Sequence, residues 1–141
     1  MKLSLYTDNT LKVLLYVASH KEHRCTRLEI AEYFDLSVEH LRKVIHQLNL
    51  LGYLTTFSGR NGGIELAKMT SEICIGDVIS KTEKQITMFD CENQNCRLLP
   101  SCSLNHILYK AQQSFFHELN QHTLEDLLSD KKTFNLLRQI S

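Results

Sequence analysis

The stretch from Thr26 to Ala67 leaves this chain few folds to choose from. Thr26 and Glu29 stand at capping-box spacing, where the hydroxyl and the carboxylate satisfy the first free amides of a helix, and they predict a short helix from Arg27 to Phe34. Asp35, Leu36 and Ser37 interrupt it. Ser37 can cap a longer helix whose buried stripe is Val38, Leu41, Val44, Ile45 and Leu48, and Gly52 ends that helix. YLTTF and IELA then flank SGRNGG, two β-prone runs around an Asn-Gly turn signal, which predicts a hairpin.

A capped helix, a three-residue turn, a second helix and a hairpin follow the order of a winged helix-turn-helix, whose second helix enters the major groove of DNA. With the apolar stripe facing the core, Ser37, Glu39, His40, Arg42 and Lys43 fall on other faces. Ser37 and the amides beside it can hold a phosphate, and His40 and Lys43 lie one turn apart with Arg42 flanking them. Glu39 can accept from a cytosine amine. Arg60 sits at the wing tip, where a guanidinium reaches a narrow minor groove, with Asn61 beside it in the turn. Arg27, opening the first of the two helices, completes the candidate DNA contacts. The alternative is a set of solvated polar residues on a winged helix used for protein contacts. Sixteen basic and sixteen acidic residues give zero net charge, so a nucleic-acid reading rests on the placement of a few side chains and not on bulk electrostatics.

Elsewhere the chain reads as mostly α. Leu11, Leu14, Leu15 and Ala18 predict a first helix from about Asp8 to His20, capped by Thr7 or Asp8. A short helix is expected near Ile75, and the row Leu104, Ile107, Leu108, Ala111, Phe115 and Leu119 predicts a long amphipathic one. That row is too extensive for one short terminal helix to cover, so it is expected to pack against its two-fold mate in a homodimer. Thr123 and Asp126 cap a last short helix, and the tail beyond Asp130 shows no clear element. The expected organisation is a DNA-binding domain over residues 1–80, a cysteine loop over 81–103, and a dimerisation helix with its tail over 104–141. At 43% hydrophobic and 23% charged, the composition excludes a disordered chain. Asp8 and Lys12 break the apolar run near the N-terminus, so neither a signal peptide nor a membrane span is expected, and the cytoplasm is the expected compartment.

Three of the five cysteines crowd into CENQNCRLLPSC: Cys91, Cys96 and Cys102. In a reducing compartment such a set reads as metal binding or redox chemistry and not as a disulfide framework. On one helix successive sulfurs would point about 140° and 240° apart, so they converge only from a loop, and Asn93, Gln94, Asn95 and Pro100 are loop-compatible. Three thiolates leave a fourth ligand to be found. Intervals of four and five residues suit wrapping an iron-sulfur cluster, with zinc and unliganded thiols as the other two readings. Cys25 and Cys74 read as small buried hydrophobes, and His20, His23, His117 and His122 as surface residues. His106 reads as a polar residue of the long helix, and Arg97 offsets the charge of a thiolate cluster. No nucleophile and base with a surrounding motif appear, so an enzyme is not expected.

The quoted segments, with YTD, LSVEHLRKVIHQLNLLGYL, GRNGGIELA, IGDVI, the C-x4-C-x5-C triplet and QSFFHELNQHTLEDL, resemble the NsrR branch of iron-sulfur winged-helix repressors over residues 1–130. The resemblance implies a homodimeric repressor of operator DNA in which each subunit's loop holds one cluster, [2Fe–2S] or [4Fe–4S], attacked by nitric oxide. It also implies Asp8 as a fourth ligand, reaching the cluster of the partner subunit. A sister branch uses a histidine three residues after the last cysteine, where this chain has Asn105 with His106 one later. A regulator sensing iron-sulfur supply or redox state would share fold and cluster, and a small electron-transfer protein is the reading from a different class.

Overall fold

Ser4 opens the first helix, one turn earlier than the apolar periodicity predicts. Its hydroxyl accepts from the Thr7 amide at 3.2 Å, so Thr7 and Asp8 lie inside helix α1, Leu5–Ser19. The computed structural model describes residues 2–84 and 86–139; residues 1, 85 and 140–141 of the expected domain spans lie outside the described residues. α2 runs Arg27–Phe34, with the Thr26 hydroxyl accepting from the Glu29 amide. Asp35 then turns the chain in the left-handed region at φ 53°, and Ser37 caps α3, Val38–Leu50. Strands β1, Leu54–Phe57, and β2, Gly63–Leu66, pair antiparallel with Leu54 opposite Leu66 and Phe57 opposite Gly63.

The wing turn differs from an Asn-Gly hairpin. The Gly62 amide donates to the Gly59 carbonyl at 3.0 Å, which makes Arg60 and Asn61 the central pair, and the left-handed positions fall on Gly59 and Gly63. A Cβ on Gly62 would stand 2.5 Å from the Phe57 carbonyl oxygen, so close packing of the turn reserves that position for glycine.

A single 3-10 turn, Thr70–Glu72, leads into α4, Ile75–Thr82. A loop with the three clustered cysteines follows, then α5, Ser103–Leu119, α6, Leu124–Ser129, and α7, Lys131–Arg138. Threonine capping of α6 agrees with the sequence; α7, capped by Asp130, does not appear in the sequence pattern. Val13 and Leu14 of α1, Leu41, Val44 and Leu48 of α3, Tyr53, Val78 of α4 and Leu124 of α6 are fully buried and form one core. Each such side chain contributes about 1.5–3 kcal/mol of transfer free energy. Burial of Tyr53 raises its hydroxyl to about 12, and that hydroxyl donates to Asp77, which also pairs with Lys81 at 2.8 Å. α4 is thereby fastened under the wing.

The tail returns to the head. Leu137 is buried, the Arg138 guanidinium donates to the Ser19 carbonyl at 2.8 Å and meets the Glu22 carboxylate at 2.9 Å, and Tyr33 donates to the Leu136 carbonyl. At the other side of the head, the Ser4 amide donates to Glu83, the residue that ends α4, at 3.0 Å. α5 has no fully buried residue and meets this core only through its last turns, where Phe116 and Leu119 pack against it. Leu104, Ile107 and Tyr109 are about three-fifths exposed, a concentration of apolar surface on one helix.

Candidate DNA-binding face and cysteine loop

Three guanidinium-bearing residues meet on one groove. Arg27 from the first turn of α2, Arg42 from α3 and Arg60 from the wing tip line it together with Thr26, Thr56 and Gly59. Nothing local in the sequence relates these positions, which lie 15 and 18 residues apart. The fold gathers them, and a strip of guanidinium groups between a recognition helix and its wing is suited to phosphate oxygens.

On α3, Ser37 is already engaged: its hydroxyl accepts from the His40 amide at 3.3 Å, so a phosphate would meet the neighbouring free amides. Glu39 and Arg42 are exposed and 3.7 Å apart, and Lys43 is exposed beside them. His40 departs from the expectation of an outward-facing side chain. It stands one turn before the buried Val44, on the flank that meets α1, so it is half-buried with its ring edge-on to Tyr6 at 6.2 Å between centroids. Its Nε2 is buried and has no hydrogen-bond partner among the described residues.

Arg24 is the residue of this face that the sequence does not disclose. Its guanidinium lies 3.5 Å over the Phe57 ring, its Nη1 donates to the Asn61 carbonyl at 2.8 Å, and its Nε sits 3.5 Å from Glu65. Asn61 therefore gives its carbonyl to holding the wing, while Arg60 next to it is exposed. One residue on, Cys25 exchanges two backbone hydrogen bonds with Ile64, at 2.9 and 2.8 Å, so the α1–α2 connector acts as a third rung of the hairpin.

The cysteine loop is a succession of tight turns. The Gln94 amide donates to Asp90, Asn95 to Glu92, Cys96 to Cys91 and Leu99 to Cys96, and Asn95 takes the left-handed conformation at φ 48°. Cys91, Cys96 and Cys102 are free thiols, all half-buried. Cys91 lines a depression with Met88, Phe89, Asn105, Leu108 and Tyr109, so the loop lies along α5. Cys102 is the residue before α5, and its sulfur makes no capping hydrogen bond. The amino end of that 17-residue helix favours negative charge there.

Asp8, on the first turn of α1, is half-exposed and holds Lys12 at 2.7 Å. Cys25 is buried as expected, whereas Cys74 is only partly covered and its thiol donates to Asn120. His20, expected at the surface, is buried and stacked on Tyr16 at 4.2 Å.

Tetrahedral zinc would bring thiolate sulfurs to about 3.8 Å of one another. Among the described residues, the group of three ligand atoms within 4.8 Å of one another is His23, Cys25 and Glu29, and neither the three loop thiols nor Asp8 form such a group. An all-thiolate donor set on a half-buried loop is chemically fit for an iron-sulfur cluster.

Known proteins place this arrangement. The chain is 38% identical over 99% of its length, and 96% of the relative's, to the HTH-type transcriptional regulator NsrR of Shouchella clausii. It is 40% identical to the NsrR of Oceanobacillus iheyensis, covering 94% of this chain and 92% of that one. Among solved structures, CymR, the global cysteine regulator of B. subtilis, superposes with a TM-score of 0.77 at 24% identity, covering 92% of this chain and 97% of that one, and supports the same fold. No helix among the described residues is long and apolar enough to cross a membrane. Residues 3–130 match the Rrf2 family, described as iron-dependent transcriptional regulators, and with relatives at this identity over nearly the whole chain, the protein belongs to that family of DNA-binding regulators and is not an enzyme.

Proposed function

We propose that this protein is a nitric-oxide-responsive repressor that binds operator DNA as a homodimer, with one iron-sulfur cluster per subunit, [2Fe–2S] or [4Fe–4S], held by Cys91, Cys96 and Cys102. Asp8 serves as the fourth ligand, offered to the second subunit's cluster. The observation that carries this reading is where the thiols sit: Cys102 is the residue before α5, and α5 is the helix on which Leu104 and Ile107 are left open. Loop order and dimer geometry therefore share one element. Bound iron supplies the atom that nitric oxide attacks.

The chain's own residues carry the rest. The Met88 amide donates to Gln112 at 3.3 Å and ties the start of the loop to α5, beside the depression that Cys91 shares with Leu108 and Tyr109. Gly76 of α4 meets Asn120, the residue after α5, so the dimer helix is seated on the head. In the head, Arg27, Arg42, Lys43 and Arg60 contact phosphates and groove edges, and Ser37, Glu39 and Asn61 complete the face. The buried Nε2 of His40 and its edge-on contact with Tyr6 support a role for that residue at the joint between α1 and the recognition helix. Asp8 lies on the same α1, so a ligand bond there would bear on recognition-helix placement.

A coupling of about 1–3 kcal/mol between cluster state and DNA binding changes affinity roughly 5- to 150-fold. The test is operator binding by anaerobically purified protein before and after nitric oxide, with Mössbauer spectra of the same samples. Affinity should fall on exposure, and replacing the three loop cysteines by serine should remove both the iron signal and the response. Equal affinity before and after nitric oxide, with iron bound, refutes the reading.

A further inference from the structure

The compact ligand group lies away from the cysteine loop, in the connector that enters the helix-turn-helix. His23 Nε2 stands 2.9 Å from Glu29 Oε1, and Cys25 Sγ completes a set within 4.8 Å. We propose that His23, Cys25 and Glu29 form a second metal site, specific for a zinc-class divalent ion, that braces the base of the wing.

Adjacent nitrogen and oxygen ligands on tetrahedral zinc stand about 3.3 Å apart, so the His23–Glu29 pair needs little movement to share an ion. Thiolate, imidazole and carboxylate together select zinc and its surrogates cobalt and cadmium over magnesium or calcium, which take oxygen. Three protein ligands leave one position for water, so the ion exchanges readily.

The surroundings are built as supports for such ligands. Glu29 divides its two oxygens: Oε2 accepts from the Thr26 hydroxyl at 3.2 Å, which fixes the carboxylate and leaves Oε1 turned toward His23. Behind His23, its other ring nitrogen, Nδ1, faces Glu22 Oε1 at 3.8 Å, beyond hydrogen-bond distance, so Glu22 adds negative charge beside the set. Arg138 donates to Glu22 at 3.0 Å and holds that carboxylate in place. Cys25 is tied to Ile64 of β2 by its two backbone hydrogen bonds, so an ion on its sulfur would join α2, the connector and the wing in one clamp.

The test uses the full chain with Cys91, Cys96 and Cys102 replaced by serine, which silences the loop and makes the outcome independent of the proposed cluster. Titration with cadmium should develop a thiolate-to-metal charge-transfer band that saturates at one ion per chain, and zinc should reverse it. Cys25→Ala should abolish the band. His23→Ala, an exposed substitution that leaves the core untouched, should weaken binding by more than the roughly 10- to 100-fold typical of losing a group that only supports a ligand. Absence of the band overturns the proposal, as does a band that survives Cys25→Ala, since Cys74 would then be its source. Equal affinity in the parent and in a folded His23→Ala protein overturns it as well.

Discussion

Ile107→Ala tests whether α5 carries the seam of the proposed homodimer. The substitution deletes three carbons, about 2.4 kcal/mol of transfer free energy at about 0.8 kcal/mol for each. In the single chain Ile107 is 61% exposed. The portion that pairing would newly bury is therefore about 1.4 kcal/mol per chain, and two-fold symmetry doubles it to roughly 3 kcal/mol. With a factor of ten for each 1.4 kcal/mol, approximately, the dimer dissociation constant should rise on the order of a hundredfold. Alanine is the best helix former and α5 buries no residue in the single chain, so the monomer fold should be unaffected. Sedimentation equilibrium over a dilution series measures the constant, and circular dichroism checks the fold. An unchanged constant would show that the open apolar row is not the seam, and the link drawn between the cysteine loop and the spacing of two reading heads would fail with it.

Other perturbations test other joints. Gly76→Ala places a Cβ 2.0 Å from Asn120 Oδ1 and 3.0 Å from the Asn120 backbone nitrogen, so α4 and the end of α5 must separate, at a cost of about 1–3 kcal/mol in chemical denaturation. Single alanine replacements of Arg27, Arg42 and Arg60 should each weaken binding across all sequences and reduce the salt slope of operator affinity by about one, measured by anisotropy at several salt concentrations; an unchanged slope removes that arginine from the phosphate strip. Glu22 is lowered from its ordinary 4.5 to about 2 by the hydrogen bond from Arg138. Its folded value is the lower one, so the contact supports the docked tail fully above pH 4.5 and is lost as pH falls toward 2. Amide exchange in α7 should accelerate across that window, and in Glu22→Gln it should be fast throughout.

Much of the head was legible because its signals are local. Thr26, Ser37 and Thr123 are caps whose partners lie three residues on, and the stripe Leu41, Val44, Ile45 and Leu48 buries as its period demands. Ser4 was missed because Thr7 and Asp8 are equally good cap residues by type, and the choice is made at long range by Glu83. α7 escaped for a similar reason: its sequence is strongly polar, and Arg138 and Leu136 find their partners in Glu22 and Tyr33, more than 100 residues away. Periodicity placed His40 beside the stripe without deciding whether α1 would cover it. The cysteine triplet was visible as a motif, but its place beside α5 was not, since the Met88 amide reaches Gln112 of α5 across 24 residues and Cys91 shares a depression with Asn105 and Leu108.

The bond from the Ser4 amide to Glu83 has a mechanical meaning. Glu83 closes α4 and begins the span that leads to Cys91; Ser4 sets the first turn of the helix bearing Asp8. A pull on that span is thus delivered to the amino end of α1 through this contact of 3.0 Å and through the buried Thr82–Thr7 hydrogen bond of 3.2 Å beside it. Both kinds of proposed cluster ligand, sulfur and oxygen, hang from opposite ends of the same short tether, so slack at one is felt at the other.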